Sequence, residues 1–194
     1  MKELKDMILE ELWELFPIVL EEHNPAYKSW YKEEKDNLTK ALCGHNFCRI
    51  SHIGSTSVEG LIAKPIVDIL LELNDDYDVK DMVSLLQGSG WILMAQNESE
   101  KTIDLNKGYT PSGFAEKVYH LHVKPSGDWD ELYFRDYLRV HHDIARQYET
   151  LKLDLKKRFE HDCDAYTNSK SEFVIKYTQK ARKEFGGRYL PTLT

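Results

Sequence analysis

The sequence has little of what marks secreted, membrane or low-complexity proteins. Its 194 residues include three cysteines, six prolines and ten glycines. Because an odd number of cysteines does not make a disulfide framework, we expect reduced thiols and a cytoplasmic protein. No apolar run approaches the roughly 20 residues of a membrane-spanning helix. The charged N-terminal segment also lacks the apolar core and cleavage site of a secretory signal.

Basic residues are in the minority. Lysine and arginine number 26 against 33 aspartates and glutamates, which gives a net charge of −7. Because nucleic-acid binders draw their phosphate affinity mainly from Lys and Arg, a nucleic-acid or membrane partner is not expected. A small phosphorylated ligand is easier to accommodate. The composition, 41% hydrophobic and 11% aromatic, is that of one globular domain.

The hydrophobic pattern predicts three successive parts of this domain: a helical cover (1–45), a sheet core (46–125) and C-terminal helices (126–194). In the cover, an apolar stripe from Leu4 to Val19 predicts one helix that ends before Pro25, and a second helix follows from about Ala26 to Leu42. The predicted core comprises strands Phe47–Ile53, Pro65–Leu73, Trp91–Ala95, Lys101–Asn106 and Lys117–Lys124, with a helix over Val79–Gln87. The last part comprises three helices. One spans Trp129–Val140, and apolar stripes from Ile144 to Phe159 and from Phe173 to Phe185 mark the other two. This order predicts an α+β fold with a mixed sheet.

One segment after the first predicted strand has an unusual composition, with Gly54-Ser55-Thr56 followed by an apolar strand that contains Asp68. A Gly-Ser pair leaving a strand can offer backbone N–H groups and a hydroxyl to a phosphate, although such pairs also form plain turns and helix caps. A buried carboxylate needs a cation, a metal or several donors. The segment therefore predicts either a phosphate and metal site or an ion pair between Asp68 and Lys64.

Two histidines are the next candidates. His120 and His122 are separated by one residue in a predicted strand, so both side chains point to the same face of the sheet. Such a pair can bind a metal, donate to a phosphate or act as acid and base near neutral pH. The alternative is a pair of hydrogen-bonded sheet histidines without a catalytic role.

The order of these motifs resembles the GrpB family, whose fold belongs to the nucleotidyltransferase superfamily. The resemblance covers about residues 45 to 185. It rests on His52 to Thr56, Gly60-Leu61, Lys64 to Leu70, Asn106 to Tyr109, His120 to Val123, Leu132 to Leu138, and the Tyr166, Lys170 and Phe173 spacing. It implies a nucleotidyltransferase-like mixed sheet flanked by N-terminal helices and a C-terminal helical bundle.

The resemblance also implies a set of site residues for a nucleoside triphosphate and Mg²⁺. Its candidates are Asp68, His120 and His122 for catalysis, Asp68 and His122 for the metal, and Gly54, Ser55, Thr56, Lys64, Lys107 and Arg135 for the phosphates. For Arg135, a local ion pair with Asp136 is an equally good interpretation.

The sequence departs from the superfamily pattern at one metal ligand. The second carboxylate normally follows the first by two residues, and here that position is Leu70. Glu72 cannot replace it, because four residues along a strand span roughly 13 Å. Asp104 is the nearest other candidate, and the alternative for it is a solvent-facing position on an edge strand.

Three hypotheses about function follow. The first is transfer of a nucleoside monophosphate from a triphosphate to a small acceptor. The second is a noncatalytic nucleotide- or phosphometabolite-binding module with a degenerate metal site, which the leucine at position 70 favours. The third is a metal-dependent phosphohydrolase that uses His120 and His122.

Overall fold

The computed structural model describes residues 2–74 and 77–191. At its centre is a five-stranded sheet in the order β1-β2-β5-β4-β3. The strands are β1 Phe47–Ile53, β2 Ile66–Leu73, β3 Ile92–Asn97, β4 Thr102–Thr110 and β5 Gly113–Pro125. Strands β2 and β5 run parallel, whereas the other three neighbouring pairs are antiparallel. The predicted α+β fold with a mixed sheet is confirmed.

Strand β2 lies in the middle of the core. Its side chains are buried except for Asp68, as expected of a strand with apolar packing on both faces. Ile69 faces helices of one layer, while Leu70 packs against Leu132 in the other layer. The helices are α1 Leu9–Leu15, α2 Tyr27–Ala41, α3 Val79–Gly88, α4 Asp130–Val140, α5 His142–Phe159, α6 Cys163–Asn168 and α7 Ser171–Phe185. Helices α2 and α3 cover the Ile69 face, and α4 covers the Leu70 face.

The N-terminal prediction is wrong in one respect. The apolar stripe from Leu4 to Val19 forms a 3-10 turn and the short helix α1, which ends at Leu15. Pro17 explains the early end, because a residue before proline is pushed away from helical geometry and Phe16 has φ −125° and ψ 64°. The extended chain that follows packs Ile18 against the C-terminal helices.

The remaining element predictions hold to within a few residues, with two differences. Strands β4 and β5 are longer than predicted, because they continue as a hairpin joined around Thr110 and Gly113. Helix α6 was not predicted, since six residues are too few to show a helical period. Among the described residues, no helix combines the length and apolarity needed to cross a bilayer.

Candidate functional site

A cleft runs between the Leu70 face of the sheet and the C-terminal helices. It consists of two adjoining cavities of about 320 and about 360 Å³. Lys64, Lys152 and Lys170 line the first, which we name the lysine cavity. Ile53, Phe134, Leu138, Val174 and Thr178 help to line the second, which we name the apolar cavity. Gly54, Ser55, Asp68, His122 and Tyr148 line both. The two cavities are therefore halves of one cleft, and these five residues mark their boundary.

The sheet register brings the predicted carboxylate and histidines together. Asp68 lies opposite His120 in the parallel β2–β5 pair, and His122 lies opposite Asp104 in the β4–β5 pair. All four side chains share the face that lines the cleft, since residues two apart on a strand point the same way. Asp104 is not on an edge strand, because β3 lies outside β4.

His120 is held at both ring nitrogens. Its Nδ1 lies 3.1 Å from Asp68 Oδ1, and its Nε2 lies 2.7 Å from the Tyr109 hydroxyl. Burial raises the pKa of Tyr109 far above its ordinary value, so the phenol keeps its proton and donates to Nε2. His120 then donates from Nδ1 to Asp68. This histidine orients the carboxylate and has no ring nitrogen left for a metal.

Asp68 is ionised at neutral pH. Burial pushes the pKa of this carboxyl upward, but the His120 hydrogen bond and the charges of His122 and Lys64 outweigh burial and leave the pKa below its ordinary value. Its Oδ1 faces His120, and its Oδ2 lies beside Gly54. The cleft therefore contains one oriented carboxylate with an oxygen not bound to the histidine.

His122 forms a separate pair with Asp104. Its Nδ1 lies 2.7 Å from Asp104 Oδ1, which orients the ring and leaves Nε2 without a hydrogen-bond partner among the described residues. Burial alone would lower the pKa of His122, but the Asp104 hydrogen bond and the Asp68 charge raise it above its ordinary value. His122 is thus an oriented imidazole at the boundary of the two cavities that holds a proton more readily than a free histidine.

The turn after β1 is shaped around Asp68. Gly54 has φ +68°, and a Cβ placed on it would lie 2.1 Å from Asp68 Oδ2, so the close approach requires glycine. Thr56 is buried and donates to the Ile66 carbonyl at 3.0 Å, while accepting from His52 Nε2 at 3.0 Å. The Thr56 hydroxyl fixes the turn to β2, so both of its hydrogen-bonding roles are already used.

The lysine cavity concentrates positive charge. The ammonium groups of Lys170 and Lys64 lie 4.3 and 5.8 Å from the centroid of the Tyr166 ring. Burial and Lys64 lower the pKa of Lys170 to about 8, and burial and Lys170 lower the pKa of Lys152 to about 7. Other lysines form ion pairs in the described part of the chain, but Lys64, Lys152 and Lys170 do not. Three lysines that cluster without forming an ion pair suit a polyanion.

Lys152 connects this cavity to the turn. Its side chain is 2% exposed and donates to Ser55 Oγ at 3.1 Å and to the Ile62 carbonyl. Sequence reasoning missed this residue, yet a signal was present. Lys152 follows Tyr148 by four residues and precedes Leu155 by three, which places a charged side chain on the apolar stripe of α5.

One predicted phosphate ligand is placed elsewhere. Lys107 lies opposite Tyr119 on the other face of the sheet and pairs with Glu34 at 2.7 Å, so it is not in the cleft. The reason is strand alternation, because Asn106 is the residue that shares the face of His120.

Arg135 reaches the apolar cavity, but each of its three guanidinium nitrogens already donates a hydrogen bond within the protein. They bind Asp136 Oδ1 at 2.8 Å, the His52 carbonyl at 3.0 Å and the Tyr189 hydroxyl at 2.8 Å. This guanidinium joins α4 to the end of β1. The structure thus supports the ion-pair interpretation for Arg135.

The donors present do not fit a magnesium ion held by the protein alone. Leu70 is fully buried where the second carboxylate would stand, and Glu72 is paired with Arg49. Across residues 2–74 and 77–191, no group of three His, Cys, Asp or Glu side chains could hold a metal. The residues of this cleft therefore do not support a catalytic step on a protein-bound metal.

The comparisons with known proteins agree with one another. The family model described as GrpB protein matches residues 17–180. A UPF0157 protein of Pseudomonas aeruginosa is 36% identical over 159 residues, 81% of this chain and 65% of that protein. A UPF0157 protein of Bacillus subtilis is 29% identical over 169 residues, 86% of this chain and 48% of that protein. The chain thus spans about half to two thirds of the length of these relatives.

Solved structures extend the likeness to the fold. The crystal structure of conserved protein GrpB from Enterococcus faecalis matches with a TM-score of 0.73 and 29% identity, covering 86% of this chain and 99% of that one. The GLD-2/RNP-8 complex matches with a TM-score of 0.53 and 14% identity, covering 96% of this chain and 66% of that one. The second likeness concerns the fold alone and fits the predicted nucleotidyltransferase-like sheet.

Proposed function

Because the chain belongs to the GrpB family and has a nucleotidyltransferase-like fold, we propose that its cleft binds a nucleoside triphosphate and transfers the nucleoside monophosphate to a small acceptor. The observation that carries this proposal is the lysine cavity. Lys64, Lys152 and Lys170 surround one small space beside the Gly54-Ser55 turn, where Asp68 is the one carboxylate among the described lining residues, and none of the three lysines forms an ion pair with it. In a chain of net charge −7, such a cluster supports binding of a compact polyanion.

The shape of the cleft supports one orientation of this ligand. If the β- and γ-phosphates occupy the lysine cavity and the nucleoside occupies the apolar cavity, the α-phosphate lies at their boundary. Asp68 and His122 line that boundary. The reacting phosphorus would then be beside the carboxylate that His120 orients and beside the His122 imidazole.

The proposed step is an in-line displacement. An acceptor oxygen attacks the α-phosphorus, the bond from this phosphorus to the bridging oxygen of the β-phosphate breaks, and pyrophosphate leaves with the electron pair. Asp68 Oδ2 accepts the proton of the acceptor hydroxyl. His122 and the lysines neutralise the charge that develops on the phosphate oxygens. A magnesium ion carried by the triphosphate is part of the substrate.

The test follows label from an [α-³²P]-labelled triphosphate into the small-molecule fraction of a metabolite extract, with and without Mg²⁺. We expect transfer by the wild type, loss of transfer with retained triphosphate binding for Asp68→Asn, and loss of binding for Lys152→Met with Lys170→Met. Lys157→Met is the matched control, because this lysine is 76% exposed on the same helix. Triphosphate binding that is unchanged in the double lysine variant would contradict the site assignment.

A specific observation favours a second candidate, the noncatalytic binding module. Leu70 is buried against Ile53 and Leu132, so the position of the missing carboxylate has become part of the apolar core. This candidate predicts nucleotide or phosphometabolite binding that is independent of Mg²⁺ and no label transfer. The phosphohydrolase hypothesis gains no support, because the described residues contain no group of three metal ligands.

A further inference from the structure

Thr178 places a buried hydroxyl in the apolar cavity. The residue lies on α7, is 4% exposed and lines this cavity, and its Oγ1 has no hydrogen-bond partner among residues 2–74 and 77–191. Buried polar groups in folded proteins are nearly always hydrogen-bonded, because an unmade bond leaves the cost of desolvation uncompensated. The missing partner of Thr178 is therefore expected to be a molecule that enters the cavity.

The other side chains of this cavity restrict what that molecule is. Asp130 is ion-paired with Arg182, and Glu131 is ion-paired with Lys124. Arg135 donates to Asp136, to the His52 carbonyl and to Tyr189. Ser55, Asp68 and His122 lie at the boundary with the lysine cavity, and away from that boundary the wall is mainly apolar and is formed by Ile53, Phe134, Leu138, Tyr148 and Val174. A sugar or an amino acid would need several hydrogen-bond partners here. A flat heterocycle with a polar edge needs few, and aromatic side chains suit its faces.

Two rings give the cavity an aromatic wall. Phe134 on α4 and Tyr148 on α5 pack edge to face, with their centroids 5.3 Å apart. Tyr148 also lines the lysine cavity, so this wall continues to the phosphate side of the cleft. A ligand that carries phosphates at one end and a heterocycle at the other would occupy both halves.

We propose that the apolar cavity binds the nucleobase and that the Thr178 hydroxyl forms a hydrogen bond with the edge of the base. This inference rests on the proposed function, because it places the phosphates in the lysine cavity. A hydroxyl can donate or accept, whereas base edges differ in their pattern of donors and acceptors. Thr178 is therefore a residue that sets preference among nucleotides, separate from the groups that bind phosphate.

The experiment compares inorganic tripolyphosphate with the four ribonucleoside triphosphates by isothermal titration calorimetry. We expect the wild type to bind at least one nucleotide about tenfold more tightly than tripolyphosphate. Thr178→Val keeps the shape of the side chain and removes the hydroxyl, so it should lose about five- to tenfold of affinity for that nucleotide and none for tripolyphosphate. Thr178→Ser, which retains a hydroxyl, should keep most of the preference.

The outcomes separate this inference from the proposed function. If the wild type binds tripolyphosphate as tightly as every nucleotide, or if Thr178→Val keeps the full preference, the base site is wrong and the phosphate site stands. If neither tripolyphosphate nor any nucleotide binds, both proposals are overturned. If the nucleotide preference and its loss in Thr178→Val are both observed but label transfer is absent, the base site stands and the cleft is a binding module.

Discussion

Replacing Lys152 by methionine should make the ligand-free protein more stable while it removes phosphate binding. Lys152 is almost fully buried, and its pKa falls from the ordinary 10.5 to about 7. At about 1.36 kcal/mol per pH unit between these values, holding the charged form costs up to about 5 kcal/mol. Losing the hydrogen bonds to Ser55 and Ile62 costs about 1.5–3 kcal/mol. We expect Lys152→Met to raise the free energy of unfolding at pH 7 by about 2 kcal/mol.

This gain should depend on pH in a defined direction. Below about pH 7 the folded and unfolded chains both hold the proton on Lys152, so the cost of the buried charge is fully present. Between about pH 7 and pH 10.5 the unfolded chain keeps a proton that the folded chain has lost. Wild-type stability therefore rises with pH over this range, relative to the variant. By pH 9 the difference should shrink by about 2 kcal/mol.

Urea unfolding followed by tryptophan fluorescence at pH 6, 7 and 9 measures both effects, and the chain has four tryptophans. Lys157→Met, at an exposed position of the same helix, should stay within about 0.5 kcal/mol of wild type at every pH. A Lys152→Met protein that is less stable than wild type at pH 6 would refute the reasoning. A difference that is as large at pH 9 as at pH 7 would refute it as well.

Two further variants test the geometry around the cleft. Gly54→Ala should lower the free energy of unfolding by about 1–3 kcal/mol, because residue 54 has a positive φ. It should also weaken tripolyphosphate binding, since the new methyl group must displace the Asp68 carboxylate. Wild-type affinity in calorimetry would contradict this. Arg135→Met should lower the free energy of unfolding by about 2–4 kcal/mol, because Asp136 and Tyr189 lose a partner, yet leave tripolyphosphate affinity within about twofold. A large loss of that affinity would show that Arg135 contributes to phosphate binding.

The contrast between Lys152 and Arg135 describes the design of the cleft. Arg135 forms hydrogen bonds with Asp136 and Tyr189 in the folded protein and stabilises it, whereas Lys152 is a buried amine that hydrogen-bonds Ser55 and the Ile62 carbonyl and has a lowered pKa, because burial disfavours its charged form. A group that is unfavourable in the free protein and favourable with its ligand is expected at a binding site, where stability is given up for function.

Much of the site could be predicted because it depends on local rules. The apolar run around Asp68 predicted a central strand with one exceptional carboxylate, and alternation placed His120 and His122 on one face. The Gly54-Ser55 pair marked the end of the first strand as a turn or a phosphate-binding segment, and the chain turns there. Each of these conclusions uses only neighbours along the chain.

What the local pattern could not supply is the identity of distant partners. The parallel pairing of β2 with β5 decided that Asp68 meets His120, and packing of the C-terminal helices brought Lys152 and Lys170 to the Gly54 turn. Strand alternation places both histidines on the cleft face, and the register of β4 shows that the same alternation places Lys107 on the opposite face. The sequence by itself determined the strands, the turn and the lone carboxylate, because these follow from short-range sterics and burial. Only the tertiary structure decided which cations surround that carboxylate, because contacts between distant segments depend on the packing of the whole chain.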